Sequence, residues 1–385
     1  MGTREALFAV RTMVQRCRDM NVDVYACAID YRKAFDCVRH EKLMEILKEV
    51  PVDRNDLRII RHLYWNQIAE VRVEGSMSEG ASIRRGVPQG CVLSPLLFNL
   101  YAEAIFEEAL TEADGGIKIN GIGVNNIRYA DDSLIVASNQ YDLQQMINKV
   151  VDYSEASGLT INSTKTKVIV FSKKPVKCCI KVNEMELEQV SSVKYLGTIL
   201  DDSCTSKKEV RSRIEQARLT LMRMKNLFTR RELSLGLRVR LLRCYVFTVL
   251  LYGAESWTLD ANLEKRINAF ELYAYRRMLR ISWIQKITNE TVLNRMRKQL
   301  EVLSTVKERK LRYLGHIMRG PKYEILRLII EGKIVGRRSV GRRQNSWLKD
   351  LRRWFGCSSI ELFRSAGSRI EIATWIANLR GGEGV

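Results

Sequence analysis

The sequence predicts a mixed α/β unit over residues 1–201 and an almost wholly helical region after it. Short apolar strands alternate with amphipathic helices up to about residue 205, and apolar residues then recur at helical spacing. The length of 385 residues is enough for two or three packed units, and 46% hydrophobic residues is ordinary for a globular chain.

The first elements follow from apolar spacing and turn residues. The strand at 22–29 is a short apolar run that ends at Asp30, and Gly75 and Gly80 lie between the two strands of a predicted hairpin. The predicted elements are helix 4–19, strand 22–29, helices 40–49 and 56–65, and a hairpin of 71–73 with 81–85.

The next elements surround an acidic turn. Pro95 opens a long helix that reaches Leu110, because Pro is favoured in the first turn of a helix. The apolar runs Asn126–Tyr129 and Leu134–Ala137 are joined by the turn Ala130–Ser133, which predicts a hairpin. The later predictions are a helix around 143–151, a strand at 168–171 and a hairpin of 177–182 with 193–196.

The rest of the chain is predicted to be helical, with one interruption by repeated Gly and Arg at 332–343. The predicted helices are 207–231, 237–251, 259–280, 290–318 and a last one that carries Trp347 and Trp354. We expect both Trp side chains to belong to the core. The predicted domains are 1–201, 202–260 and 261–385.

The excess of positive over negative charge is confined to the second half of the chain. The net charge is +20, yet residues 1–200 hold 25 Lys and Arg against 26 Asp and Glu. Residues 201–385 hold 39 against 18. A solvated basic surface is the alternative, but an excess restricted to one half favours contact with nucleic acid.

Several classes of protein are disfavoured by composition. The nine Cys form no CxxC pair and there are only three His, which argues against a structural zinc site. Scattered Cys is typical of a reducing compartment. No apolar run reaches membrane-spanning length, and the first residues do not resemble a signal peptide. We expect an intracellular protein of the nucleus or cytoplasm, with no membrane partner.

Three Asp residues lie at the end of an apolar strand or in the turn of a predicted hairpin. Asp30 follows one strand, and Asp131 and Asp132 lie in the hairpin turn. If these strands share one sheet, the three acids converge at its edge, and clustered carboxylates favour divalent cations. An isolated Asp-Asp pair is more often an ordinary turn, so the residues around it decide between the two interpretations.

Five segments carry a family resemblance. In order they read DYRKAFD at 30–36, GVPQGCVLSPLLF at 86–98, YADD at 129–132, GLTINSTKT at 158–166 and YLG at 195–197. They resemble motifs A to E of the reverse transcriptases of non-LTR, LINE-type retrotransposons. The resemblance implies a polymerase palm with a ferredoxin-like antiparallel sheet and a remnant of the fingers, then an all-α thumb and a basic helical C-terminal region.

The resemblance also implies a reaction. Asp30, Asp131 and Asp132 would bind two Mg²⁺ ions, which Mn²⁺ could replace, for nucleotidyl transfer onto a primer 3′-hydroxyl. Lys165 would protonate the leaving pyrophosphate. The implied partners are an RNA template, a DNA primer and dNTPs.

Other contacts follow from the same resemblance. The nucleotide-binding residues would be Phe35, as a steric gate against a ribose 2′-hydroxyl, with Gln89, Gly90 and Tyr129. The primer grip would be Tyr195, Leu196 and Gly197. From the residues alone, a core side chain five residues beyond a strand end is the favoured interpretation of Phe35. The predicted nucleic-acid-binding residues are Lys207, Lys208, Arg211, Arg337, Arg338, Arg342 and Arg343.

Two alternatives stay open. The chain begins close to the strand of motif A, so we expect that fingers and an endonuclease are missing and that polymerase activity is weak or lost. A catalytically inactive retroelement remnant that only binds nucleic acid is therefore one alternative. A group II intron maturase or another cellular reverse transcriptase is the other, which Ala34–Asp36 and the basic helical half disfavour.

Overall fold

A computed structural model describes residues 2–65, 67–88, 90–111, 115–338 and 345–381. The chain divides into two compact units, and each is described by itself. Unit 1 comprises Met1–Ala6 and Asn21–Leu196, and unit 2 comprises Leu7–Met20 and Gly197–Val385. The predicted order of a mixed α/β part followed by a helical part is confirmed.

Unit 1 alternates helices and strands. Its elements are α1 (Thr3–Asp19, whose first turn alone lies in unit 1), β1 (Val24–Ile29), α2 (Ala34–Cys37), α3 (His40–Glu49), α4 (Arg54–Tyr64), β2 (Ile68–Ala69), β3 (Arg72–Val73), β4 (Ser76–Met77), β5 (Ala81–Ser82), α5 (Ser94–Leu110), β6 (Ile117–Ile119), β7 (Ile122–Val124), β8 (Asn126–Tyr129), β9 (Asp132–Ala137), α6 (Gln140–Ala156), β10 (Lys167–Phe171), β11 (Lys181–Val182), β12 (Met185–Glu186), β13 (Glu188–Gln189) and β14 (Ser192–Tyr195).

The main sheet of unit 1 has the order β13-β10-β1-β9-β8. β1 is antiparallel to both β9 and β10, and β8 is antiparallel to β9. The strands β1, β8, β9 and β10, with helices between the first and second and between the third and fourth, follow the ferredoxin-like order. β13 adds a short parallel edge beside β10.

Apolar side chains on one face of this sheet form a core with the helices of unit 1, and residues of the opposite face, such as Val136, are also buried. α6 packs against α5 and β9, and residues such as Phe98, Ile105, Ile135 and Ile147 are almost fully buried. Because β1 is central and carries side chains that are mostly buried, its last residue is held firmly at the sheet edge.

The predicted hairpin of 177–182 with 193–196 is wrong. β11 pairs instead with β12, which begins eight residues before the expected partner strand at 193. The two-residue turn Asn183–Glu184 joins β11 to β12. Both turn residues have positive φ, 47° and 64°, which is the conformation of a type I′ turn. The predicted hairpin of 71–73 with 81–85 is replaced by two nested ones, β2 with β5 and β3 with β4.

The described residues of unit 2 form helices and one strand. Its elements after α1 are β15 (Thr198–Asp201), α7 (Lys207–Arg223), α8 (Lys225–Thr229), α9 (Leu235–Leu241), α10 (Thr248–Leu250), α11 (Ala261–Met278), α12 (Asn289–Met296), α13 (Val302–Arg319), α14 (Glu324–Glu331), α15 (Trp347–Phe355), α16 (Ser359–Gly367) and α17 (Arg369–Gly381). A π-helical segment, Leu242–Phe247, joins α9 to α10. No helix within the described residues is both long and apolar enough to cross a membrane.

The predicted helix 290–318 is wrong, because it is two helices. Arg297 adopts a left-handed conformation, with φ 51°, and ends α12. The carboxylate of Glu271 then accepts hydrogen bonds from the backbone N–H groups of Glu301 (2.8 Å) and Val302 (3.0 Å), which stabilises the start of α13.

One apolar core runs through the predicted boundary at residue 260. It includes Val210, Leu250, Ile267 and Val306, all almost fully buried. The functional division at this position stays a prediction. Most of α1 belongs to this unit because the ring of Phe8 contacts those of Tyr313 (5.1 Å) and Trp347 (4.8 Å).

Candidate active site

Strand register brings the predicted carboxylates to one edge of the main sheet. Ile29 of β1 pairs with Ser133 of β9, so the next residue, Asp30, lies opposite Asp132 at the start of β9. Asp131 precedes Asp132 in the turn between β8 and β9. The structure therefore places the three predicted acids side by side.

The turn that carries Asp131 has a strained backbone. Tyr129 pairs with Asp132, which leaves Ala130 and Asp131 as the two turn residues. Ala130 has a φ of 53°, a conformation that costs a non-glycine residue roughly 1 kcal/mol or more. Asp131, Asp132 and Tyr129 are exposed at this tip, so the turn presents polar groups to solvent.

The three acids form an anionic cluster that no basic side chain of the described residues neutralises. The pKa of Asp132 is raised, first by loss of hydration and then by repulsion from Asp131 and Asp30. Within the described residues, none of the three carboxylates forms an ion pair or accepts a side-chain hydrogen bond. No group of three or more His, Cys, Asp or Glu side chains in the described residues is already arranged to hold a metal ion.

Residues of motif D form hydrogen bonds with the backbone of Asp30. The backbone N–H of Asp30 donates to Thr166 Oγ1 (3.2 Å), and its carbonyl accepts from the N–H of Asn162 (2.7 Å). Lys165 is exposed in the turn between them. The sequence did not single out Thr166 and Asn162, although their place beside Lys165 in the motif was a usable signal.

Motifs A and B are joined beside Phe35. The N–H of Val87 donates to the carbonyl of Phe35 (2.9 Å), and the half-buried Phe35 ring stacks on Phe98 at 4.4 Å. Gly86 has a φ of +96°, and a Cβ there would lie 3.2 Å from the backbone of Asp36. Only glycine permits this approach. Gly90 borders the same loop and has open space around it.

Gln89 lies outside the described residues, so its predicted nucleotide contact stays a prediction.

Tyr195 supports the hairpin from within. Its side chain is 2% exposed, and its hydroxyl donates to the carbonyl of Ile127 in β8 (2.9 Å). Burial, and then the charge of Asp132, raise the pKa of this phenol. Leu196 is also buried. In unit 2, Gly197 follows with a φ of +73°.

Comparison with known proteins decides the family. A family model described as reverse transcriptase (RNA-dependent DNA polymerase) matches residues 3–200, slightly over half of the chain. The chain belongs to the reverse transcriptase family.

Curated relatives of this reverse transcriptase come from mobile elements. The RNA-directed DNA polymerase from mobile element jockey of Drosophila funebris is 24% identical over 74% of this chain and 31% of its own length. A Pol polyprotein from the type-1 retrotransposable element R2 of Bradysia coprophila is 29% identical over 50% of this chain and 23% of its own. The predicted resemblance to non-LTR reverse transcriptases is confirmed.

The relatives differ in the share of their own length that this chain matches. The chain spans about a third of the jockey protein. A putative transposon-derived protein of Caenorhabditis elegans is 27% identical over 62% of this chain and 87% of its own length. Among solved structures, apo telomerase from Candida tropicalis is similar over 86% of this chain with 11% identity and a TM-score of 0.39, which is too distant to support an inference.

The predicted nucleic-acid contacts of this reverse transcriptase differ in exposure. Lys207, Lys208 and Arg211 are exposed on α7, and Lys208 pairs with Asp201 (2.6 Å). Arg213 on the same helix is buried and pairs with Glu209 (2.7 Å), so its charge neutralises a buried carboxylate within unit 2.

The C-terminal basic residues are only partly described. Arg337 and Arg338 are exposed, whereas Arg342 and Arg343 lie outside the described residues. Trp347 is 2% exposed, which confirms its predicted place in the core, and its indole N–H donates to the carbonyl of Glu255 (2.6 Å). Trp354 is half-buried.

Proposed function

We propose that this chain performs RNA-directed DNA synthesis, adding deoxynucleotides from dNTPs to a primer 3′-hydroxyl along an RNA template. The observation that carries the proposal is the meeting of Asp30, Asp131 and Asp132 at one sheet edge without a basic partner in the described residues. An anionic cluster of this kind is stabilised by cations.

The three carboxylates fit a magnesium site by their chemistry. Family membership implies dependence on a divalent metal ion. Mg²⁺ prefers carboxylate oxygens and keeps part of its hydration shell, so exposed Asp131 and Asp132 and half-exposed Asp30 suit it. Rotation of these short side chains about their χ angles would direct their oxygens to common ions. Two bound ions would supply a more acidic primer hydroxyl and charge compensation for the leaving pyrophosphate.

The neighbouring residues receive roles in the same proposal. Phe35, fixed by its stack on Phe98, would exclude a 2′-hydroxyl from the sugar of the incoming nucleotide. Tyr129 and Gly90 would contact that nucleotide together with Gln89. Lys165, exposed one residue from Thr166, would donate a proton to the pyrophosphate.

The larger segments of the chain would have separate roles in this reaction. The ferredoxin-like sheet of unit 1 would be the palm, and residues 202–260 would be the thumb that follows the template–primer duplex. Residues 261–385 would be a basic region that contacts nucleic acid. The relatives favour an origin in a non-LTR retrotransposon, because their names assign them to the mobile elements jockey and R2.

Primer extension on an RNA template tests the proposal. We expect incorporation of labelled dNTPs in Mg²⁺ that Asp131→Asn lowers by roughly a hundredfold or more, because charge compensation at the reacting phosphate is lost. Asp152→Asn is the matched control, since Asp152 is an exposed acid on α6 that does not belong to the cluster of three carboxylates.

The inactive-remnant alternative gives a different result. A chain that binds RNA or DNA in a salt-sensitive way, but incorporates nothing in Mg²⁺ or Mn²⁺, would contradict the polymerase proposal.

A further inference from the structure

One tryptophan of unit 2 is almost fully exposed. Trp283 is 94% exposed and its neighbour Ile284 is 84% exposed. The six Trp of this chain all lie in the described residues, and each of the other five is buried or half-buried. Tryptophan is highly buried on average in folded proteins, so an exposed one beside an exposed Ile indicates a binding surface.

The backbone around Trp283 is ordered by its own hydrogen bonds. The N–H of Gln285 donates to the carbonyl of Ser282, and that of Lys286 donates to the carbonyl of Trp283, both at 3.2 Å. At the base, the N–H of Ile281 donates to the carbonyl of Arg276 (2.9 Å). This 3-10 turn therefore presents the indole from a fixed backbone, which lowers the entropic cost of a contact.

The surroundings of the turn are basic. Residues 272–289 contain Arg276, Arg277, Arg280 and Lys286 and no acidic residue. Arg276 and Arg280 donate to backbone carbonyls of Ile287 and Thr229, which keeps their charge near the turn. Within the described part of the chain, the ammonium of Lys286 forms no ion pair or hydrogen bond. A polyanion is the partner that this charge favours.

We propose that the turn Ser282–Lys286 is a stacking site for an unpaired base of single-stranded nucleic acid, with Trp283 as the platform and Lys286 beside the phosphate. An aromatic face combined with cations is the chemistry by which proteins bind single strands. A second protein chain fits less well, because cores of protein interfaces are depleted of charge. A lipid surface would need a broader apolar face than two side chains.

This site lies beyond the carboxylate cluster and needs no nucleotidyl transfer. Binding can therefore be measured without dNTPs or metal. Failure of primer extension and failure of stacking are thus separate results.

The test compares two single-stranded probes of equal length and phosphate number. One is an oligothymidylate, and the other carries abasic sugars in place of thymidines. We expect Trp283→Ala to weaken binding of the oligothymidylate by about 5- to 100-fold and to leave binding of the abasic probe unchanged. Trp283→Phe, which keeps an aromatic face, should restore most of the affinity, whereas Trp283→Leu should not.

Two controls keep the result specific. Ile360 is 73% exposed on α16, so Ile360→Ala removes an exposed apolar side chain elsewhere in unit 2 and should have no effect on either probe. Lys286→Ala should weaken both probes equally, because it removes a phosphate contact.

Three outcomes would overturn the proposal. Equal loss for both probes in Trp283→Ala would make the residue a general structural or electrostatic element. Full recovery in Trp283→Leu would show that apolar surface, not stacking, matters. Unchanged oligothymidylate affinity, with lost binding to phosphatidylserine vesicles, would assign the turn to membranes instead.

Discussion

The hydroxyl of Tyr195 donates a hydrogen bond to the carbonyl of Ile127, two residues before the end of the strand that leads into the acidic turn. Tyr195 is the first residue of the YLG motif, and its side chain is buried. Through this hydrogen bond to β8, the motif stabilises the hairpin that carries Asp131 and Asp132.

Tyr195→Phe should lower the free energy of unfolding by about 1–3 kcal/mol, because the buried carbonyl of Ile127 loses its side-chain partner. Chemical denaturation followed by circular dichroism measures this change. Tyr141→Phe is the control, since Tyr141 is 71% exposed and its loss should be nearly neutral. Equal stability of both variants would show that the hydrogen bond is not formed in solution.

The fold near the carboxylates could be predicted from sequence because apolar alternation and turn chemistry agree there. β8, β9 and the turn between them follow from Asn126–Tyr129, Leu134–Ala137 and two Asp residues. What the sequence could not show was that Thr166 Oγ1 accepts from the N–H of Asp30, because that contact joins residues 136 positions apart.

Other predictions failed where tertiary contacts override local pattern. Apolar spacing continues through 290–318, yet the left-handed Arg297 and the distant carboxylate of Glu271 divide the helix. On α7, Arg213 is buried and pairs with Glu209, whereas Arg211 two residues earlier is exposed.

Divalent ions should stabilise the chain through the carboxylate cluster. Addition of Mn²⁺ or Mg²⁺ should raise the melting temperature, because an ion that binds only the folded state stabilises it by mass action. Removal of the ion with a chelator should reverse the increase. Asp30→Asn and Asp131→Asn should each abolish the increase, while Asp152→Asn keeps it. An identical metal-dependent increase in all variants would place metal binding elsewhere in the chain.

Phe35→Val should relax sugar selection. The smaller side chain leaves space where the Phe35 ring stacks on Phe98, so a 2′-hydroxyl would no longer collide with it. We expect the preference for dNTPs over rNTPs in primer extension to fall by about tenfold or more, which corresponds to roughly 1.4 kcal/mol of discrimination.

The control for this prediction is Phe98→Leu, because Phe98 is fully buried beneath Phe35. It should lower stability without changing sugar preference to the same extent. If Phe35→Val only destabilises the chain and leaves selectivity intact, Phe35 is a core side chain and not a gate.

The buried pair Lys310–Asp350 should make the core of unit 2 sensitive to single substitution. Both side chains are fully buried. The Lys310 ammonium donates to Asp350 Oδ2 and to the carbonyl of Trp257, at 2.9 Å each. Burial lowers the pKa of Lys310. Lys310→Met removes the nearer counter-charge of the buried Asp350 carboxylate, which keeps only a longer contact to Arg353 (3.7 Å). The substitution should cost about 3–5 kcal/mol.

A double variant separates this effect from lost packing. Adding Asp350→Asn to Lys310→Met should recover part of the loss, because the uncompensated charge is then absent. Arg312→Ala, which breaks a half-exposed pair with Glu308, should cost no more than about 1 kcal/mol. Additive losses in the double variant would contradict a charge-based origin. Urea titration measures all three.

Two arginines on α7 should respond oppositely to substitution. Arg211 is exposed and pairs with no described residue, so Arg211→Ala should weaken duplex binding and reduce the slope of log affinity against log salt by about 0.9, with little change in stability. Arg213 is 7% exposed and neutralises the buried Glu209, so Arg213→Met should destabilise unit 2 by about 3–5 kcal/mol.

Measuring both quantities on both variants decides between a binding and a structural role. The backbone N–H of Ile199 also donates to Glu209 (2.6 Å), so Glu209 stays in place when Arg213 is removed. Glu209 then loses its hydrogen-bonded counter-charge, and Arg11 acts on it only through space. If Arg213→Met changed the salt slope while preserving the melting temperature, the buried pair would have to open in solution and Arg213 would face the nucleic acid. A stable chain with an unchanged slope in Arg211→Ala would remove α7 from the proposed duplex contact.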